Sequence, residues 1–444
     1  MKKLWLLLFL VQGCATVFPQ QRTDSIELWS YHFQFTAINQ VHPSFKAAYS
    51  GMNSLNKGAE KKALSITATV FAGRQLWKNA VIYANAEIAG GTGISSARGV
   101  AGFPNGETFR IGDPSPTLYL ARLYLQQNFA LGSSGYEYVE GDANQLAGKI
   151  PSSRISLSAG IFSLSDFFDA NQYSHDPRTQ FMNWSLMSNG AWDYPANTRG
   201  YTQGIVAELV KPGWAMRISS VVVPRKANGL QMDYHISKAH SETIEFEKSW
   251  VKKRAGAIRL LAFRTVSQAP RYATTLLEVA NGDSSSVDVY TGVKEWKRYG
   301  GVKFGFGINA EQALTASTGA FFKASWNDGK TATWAFTEID RSLSMGINIK
   351  GTAWKRPSDN LGIAQVVNGI SGDHRRFLNR GLYGFIIGDG KLRYGAETIT
   401  EVFYQARLTS FFYATADYQF VRNPGYNKDR GPVHVFAVRG HVAL

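Results

Sequence analysis

An alternation of apolar and polar residues with a period of two constrains this chain more than any other feature, because no long apolar helix follows the first twenty residues. From Tyr404 to Phe420 one parity reads Tyr404, Ala406, Leu408, Ser410, Phe412, Ala414, Ala416, Tyr418 and Phe420. The other reads Gln405, Arg407, Thr409, Phe411, Tyr413, Thr415, Asp417 and Gln419. Successive side chains of an extended chain point to opposite faces, so the two sets lie on opposite sides of a strand. The first face is apolar with aromatic residues at both ends. That is the pattern of a strand crossing a bilayer, with lipid outside and a polar lumen inside.

Similar alternation marks candidate strands at 30–40, 64–77, 80–90, 117–130, 153–163, 200–210, 213–223, 243–252, 255–266, 290–299, 302–311, 317–326, 332–340, 344–354, 360–370, 394–404, 405–421 and 431–444. In 153–163, Ile155, Leu157, Ala159 and Ile161 oppose Arg154, Ser156, Ser158 and Gly160. In 344–354, Met345, Ile347 and Ile349 oppose Ser344, Asn348 and Lys350. In 117–130, Tyr119, Ala121, Leu123 and Leu125 oppose Arg122, Tyr124, Gln126 and Asn128. Segment 255–266 is ambiguous, since Leu260 and Leu261 point opposite ways. Arg or Lys at mid-bilayer costs roughly 2–4 kcal/mol. Ile155, Leu157, Met345, Ile347, Leu408 and Phe412 are therefore expected to face lipid, and Arg122, Gln126, Ser156, Lys350, Arg407 and Asp417 the lumen. Lys78-Asn79 and Pro212-Gly213 fit short hairpin turns, whereas 91–116, 164–199, 267–289 and 371–393 fit extracellular or lumen-folded loops.

The fold class is thus all-β: a closed antiparallel transmembrane barrel of 16, or 18, strands, with a lumen-folded constriction loop. A soluble sandwich or propeller also alternates, but with a charged outward face. Here the polar faces hold serine, asparagine and glutamine with scattered arginine.

Lys2 and Lys3, the apolar run Leu4–Val11 and the small residues Gly13, Cys14 and Ala15 read as a secretory signal peptide over 1–15. The alternative is a lipoprotein signal acylated at Cys14. An N-terminal segment at 16–29 then leads into one barrel domain at 30–444. Cys14 is the single cysteine, so the remaining chain has neither a disulfide framework nor a cysteine metal site. The formal net charge is +15, and setting aside Lys2 and Lys3 leaves +13, 46 basic residues against 33 acidic. With no basic cluster and an export signal, this surplus fits a basic pore lining that tolerates anions better than cations, and excludes a nucleic-acid partner.

Two stretches carry a resemblance. Gly99–Arg110 reads GVAGFPNGETFR, and Phe162–Gly204 contains FSLSDFFDANQYSHDPRTQFMNWSLMSNGAWDYPANTRGYTQG. Both resemble signatures of the carbohydrate-selective porin family: a D-x-F-D-x-N turn, a D-P-R-x-Q-F-x-N-W run and an A-W-D-Y run followed by R-G-Y-T. His42-Pro43-Ser44-Phe45, Asn144-Gln145-Leu146 and Pro224–Gly229 are further matches. The strong motifs lie within 30–230, and the chain departs from many outer-membrane barrels in ending on Leu444 rather than an aromatic residue. The resemblance implies an outer-membrane channel, in a Gram-negative bacterium, that admits sugars and other small solutes as a monomer or homotrimer surrounded by lipid.

The residues supply their own reason for sugars. A sugar offers hydroxyls and apolar C–H faces, and these are met by aromatic rims, carboxylates, amides and guanidinium groups. Loop 164–199 holds all of them. Candidate constriction residues are Asp166, Asp169, Asn171, Arg178, Asn183, Trp184, Trp192, Asp193 and Arg199, joined by Arg110 and Arg122. Trp184 and Trp192 would be the stacking surfaces. In a second reading the aspartates and arginines pair with each other to hold the loop, and the tryptophans anchor it.

Signals for catalysis are weak. Gly329-Lys330-Thr331 lacks the earlier glycine of a phosphate-binding loop, and there is no His-Glu-x-x-His or Gly-x-Ser-x-Gly. His434 and His441, seven apart on one strand, face opposite sides and share no metal. No catalytic residue, metal or cofactor is expected. A barrel hydrolase and a polysaccharide-export barrel are the rival functions.

Overall fold

The computed structural model describes residues 27–108, 115–133 and 135–444. The expected signal peptide, Cys14 and Arg110 lie outside the described residues. Sixteen antiparallel strands form a closed barrel: β1 (Trp29–His42), β2 (Glu60–Trp77), β3 (Ala80–Gly91), β4 (Thr117–Ala130), β5 (Arg154–Phe162), β6 (Thr202–Lys211), β7 (Trp214–Val221), β8 (His240–Val251), β9 (Ala255–Ser267), β10 (Gly301–Ala313), β11 (Thr318–Asn327), β12 (Arg341–Gly351), β13 (Arg356–Gly369), β14 (Glu397–Arg407), β15 (Phe412–Arg422) and β16 (Val433–Ala443). Each strand pairs with its neighbours in chain order. β1 closes on β16 with Thr36 opposite His441 and Ala37 opposite Gly440. Among the described residues no helix is long and apolar enough to cross a membrane; the strands are the crossing elements.

Alternation explains the wall. In β12 Leu343, Met345 and Ile347 point out, while Ser342, Ser344 and Asn348 are buried inside. Ile155 and Leu157 on β5 and Leu260 on β9 are likewise exposed to the outside, and Leu261 turns inward. At one mouth the connections are short. Asn79 and Gly213 complete two-residue hairpins with φ of 63° and 80°, the left-handed region such turns require. One connection at that mouth, 131–153, is long. The other mouth carries the long loops, which fold into the lumen and bury a second apolar core there, with Phe103, Phe168, Trp184, Trp192, Tyr194, Phe336, Tyr272 and Phe377 in one cluster.

Three expectations are corrected. The run 405–421 is not one crossing strand but a hairpin: β14 ends at Arg407, residues 408–411 turn, and Leu408 N–H donates to Phe412 at 2.9 Å. A four-residue turn preserves parity, so Phe412 still points out and Asp417 in. Leu408, 56% exposed, sits in the turn, and Arg407 donates to the Thr409 and Ser410 carbonyls at the rim. Second, 290–299 and 332–340 are not strands. The first follows a short helix (Val287–Tyr290), and the second is a buried irregular segment in the lumen, where alternating Trp334 and Phe336 pack on loops instead of lipid. Third, Tyr119 faces the lumen. Asn85 pairs with Arg122 and Ala86 with Leu120, so Ala121 is an extra residue that reverses the parity above it.

Met345→Arg, in the middle of the lipid-facing side of β12, is expected to destabilise the folded barrel by roughly 2–4 kcal/mol in reversible unfolding from lipid vesicles.

Candidate pore constriction

Carboxylates on the inner wall seat the inserted loops by accepting backbone N–H groups. Glu401 of β14 accepts from Met182 and Asn183. Glu397 accepts from Ala101, Gly102 and Gly425 at 2.8–3.0 Å. Glu245 of β8 accepts from Asp169 at 2.8 Å, and Glu311 of β10 from Gln172. Lys323 of β11 donates to the Ser174 and Leu186 carbonyls at 2.8 and 3.2 Å. Each contact both orders the loop and gives a buried polar group its partner, and where the group is ionised the bond is about twice as strong as a neutral one.

Within loop 163–201 most of the candidate residues serve that seating. Asp169 accepts from the Asn189 backbone and side chain at 2.6 and 2.7 Å and from Asn309 at 2.7 Å, with Lys323 at 3.7 Å. Asn171 donates to Asn309 and accepts the N–H groups of Tyr173 and Ser174. Asn183 caps the short helix α1 (Trp184–Met187) by accepting from Ser185, and donates to Gly102 and Gln419. Asp193 accepts four successive N–H groups, Trp334 to Thr337, at 2.8–3.3 Å. Trp184 and Trp192 are each 1% exposed. Trp184 stacks on Phe103 at 5.0 Å, and Trp192 meets Tyr194 at 5.0 Å. Neither indole offers a free face, which corrects their assignment as sugar-stacking surfaces. They are large enough to fill the lumen core, and that is where they are spent.

The remaining candidates meet where the loop faces β3 and β4. Asp166 closes the first turn by accepting the Ser163 N–H at 3.0 Å and takes a two-pronged contact from Arg122 of β4, both bonds 2.7 Å. Arg178 donates to Glu107 at 2.8 Å and to Glu87 of β3 at 3.4 Å. Glu87 also accepts from Thr69, Tyr119 and Tyr201 at 2.7, 2.5 and 3.0 Å. Arg199 lies 4.2 Å over the Tyr119 ring, and Arg122 5.3 Å from that of Tyr201. Burial acts to raise the Asp176 carboxyl, but the neighbouring Arg178 guanidinium and its N–H hold it below its ordinary value. Burial acts the other way on Arg178, and Glu107, Glu87 and Asp176 keep it above the ordinary range.

Opposite runs a ladder that the sequence pattern did not single out. Arg217 of β7 bonds Glu208, Glu245 and Glu247 at 2.9–3.1 Å, and Arg259 of β9 bonds Glu247 and Glu311 at 3.1 and 3.3 Å. Their inward parity was the available signal, but the double leucine beside Arg259 obscured it. Among the described residues no cluster of metal-ligating side chains occurs.

A closed barrel of paired strands, narrowed from within by a folded loop and lined by opposed charges, defines an outer-membrane porin. The chain belongs to the carbohydrate-selective porin OprB family, whose model matches residues 67–444. It is accordingly a channel of the Gram-negative outer membrane for carbohydrates. No curated protein matches the sequence. Among solved structures the chain is similar to Pseudomonas putida OprB at high pH, at 14% identity over 94% of each chain with a TM-score of 0.67. It is more distantly similar to the low-pH structure of the same protein (11% identity, 94% and 92% covered, TM-score 0.48) and to the outer membrane channel DcaP of Acinetobacter baumannii (8% identity, 96% and 100% covered, TM-score 0.49).

Two outcomes follow. Trp184→Ala is expected to cost about 3–5 kcal/mol of stability and to raise protease sensitivity within 163–201, read by limited proteolysis of the folded barrel. Arg178→Ala, which removes the cation that pairs with the buried Glu87 and Glu107, is expected to cost about 3–5 kcal/mol in the same unfolding measurement, with part recovered in Arg178→Ala/Glu107→Gln.

Proposed function

We propose that sugars pass between the β3–β4 wall and loop 163–201, in contact with Arg122, Asp166, Arg178 and Arg199. The observation that carries this reading is the meeting of those four charged groups with Glu87, Glu107 and Tyr119 inside the barrel. Opposed donors and acceptors can bond a hydroxyl from both sides, and the partly exposed Tyr119, with Arg199 over its ring, adds apolar surface beside them. A neutral solute exchanges its hydration for these groups without leaving a charge unbalanced.

The same balance argues for weak ion selectivity. Three arginines, Arg122, Arg178 and Arg199, stand among four carboxylates, Glu87, Glu107, Asp166 and Asp176. Basic residues also lie in exposed turns, as in Lys252-Lys253-Arg254 between β8 and β9. An anion preference would therefore arise at the mouths rather than in the constriction. The pore is complete within one barrel, so the single chain is the conducting unit, exported by the leader at 1–15 and encircled by lipid.

In planar bilayers glucose and maltose are expected to reduce the single-channel ion current, and a salt gradient to give a small reversal potential. Arg122→Ala/Arg178→Ala should shift that potential toward cation preference, because four carboxylates then face one arginine. A strong cation preference in the unmodified protein, or currents indifferent to both sugars, would overturn the reading.

A further inference from the structure

The one long connection at the short-turn mouth is unexplained by the constriction. Residues 131–153 join β4 to β5, where neighbouring strand pairs at that mouth need two to four residues. A ladder pairs Tyr136–Val139 with Gly148–Pro151, and the tip turns at Asp142–Gln145. The tip bends back into the barrel. A Cβ at Gly73, on the inner face of β2, would lie 2.5 Å from Leu146 Cδ1, so the missing side chain makes the room that Leu146 occupies. The Leu146 backbone is hydrogen-bonded to Tyr83 of β3, and Glu27 N–H donates to Ala147 at 3.2 Å.

Between this tip and Asp166 of the constriction lies a cavity of about 430 Å³, within the range of about 300–1,000 Å³ usual for small-molecule sites. Its charged lining is Asp142, Asp166 and Glu208 against Lys149, Arg154 and Arg217, which cancels formally and favours a neutral polar guest over an ion. Gln126 and Asn128 add amides from β4, bonded at 3.3 Å to Ser158 and at 2.5 Å to Ser156. Tyr83, Tyr124 and Phe167 form an aromatic side, with centroids 5.1 and 5.9 Å apart in sequence. Balanced charge, amides and one aromatic side are the chemistry of carbohydrate recognition.

We infer that this cavity is a second saccharide subsite, in series with the constriction and closed on the far side by the 131–153 hairpin, taking a mono- or disaccharide on its way out of the pore. The inference rests on the carbohydrate-channel reading above. The test is ion-current noise of the full chain in planar bilayers with glucose or maltose. The unmodified protein should show two kinetically distinct components of block. Replacing Gly141–Ala147 with two glycines should remove one component and raise the small-ion conductance. Gln126→Ala/Lys149→Ala, which keeps the hairpin at full length, should weaken that same component roughly three- to tenfold, the effect of losing about one net hydrogen bond. Block that is unchanged in both variants overturns the subsite and leaves the channel reading standing. If the shortened hairpin does not assemble, the double variant decides alone. No block of the unmodified protein by either sugar overturns both.

Discussion

In hydrocarbon an unpaired backbone amide or carbonyl costs several kcal/mol, because no water is present to take the missing partner's place. A sheet survives there only if it has no edges. The pairing of β1 with β16 is therefore the contact on which the molecule depends: Gln34 to Val41 meet Phe436 to Ala443, the two ends of the chain closing a cylinder. Closure then fixes the rest. Each strand has one face toward lipid and one toward the lumen, and an error of one residue in register exchanges them. The bulge at Ala121 shows the rule at work, for one extra residue is enough to bring Tyr119 inside beside Glu87.

A sixteen-stranded cylinder is too wide for its own side chains to fill. The chain fills much of the lumen with its loops, and a polar wall must then be covered by irregular backbone without stranding either. The wall carboxylates meet both needs at once. Glu245, Glu397 and Glu401 would be costly if buried alone, and the N–H groups of residues 101, 102, 169, 182 and 183 would be costly if buried unpaired. Joined, they satisfy each other. The apolar side chains of the loops then pack as an ordinary core, and the charged groups Arg122, Asp166, Arg178 and the Arg217–Arg259 ladder pair with one another beside it.

This division marks what could be read from the sequence. Lipid-facing positions such as Ile155, Leu157 and Met345 were legible because charge is costly in hydrocarbon and apolar side chains are favoured there. Segment 332–340 misled for a physical reason: Trp334 and Phe336 are as apolar as a strand face, and alternation does not say whether the apolar partner is lipid or a loop. Segment 405–421 misled because a four-residue turn leaves the period intact. Among the site residues the chemistry was legible but its use was not. Asp169, Asn183 and Asp193 resemble solute ligands in a string of letters, and only the positions of Asn309, Gly102 and Trp334 reveal them as anchors. The ladder from Glu208 to Glu311 spans five strands and more than a hundred residues of chain, so no local pattern contains it.

The manner in which the loops are held has a bearing on how such channels diverge. A carboxylate that grips a peptide N–H is indifferent to the side chain that peptide carries. The grip alone does not fix residues 101, 102, 169, 182 and 183; what constrains three of them is the space around Gly102, where a Cβ would collide with Ser185 Oγ, and the side-chain bonds of Asp169 and Asn183. The fastening is written in a few acidic positions of the wall, and the loop positions that neither enter the lumen core nor bond through their side chains are left open. A lineage built on this frame can revise what its pore recognises without first inventing a new way to keep the loop inside.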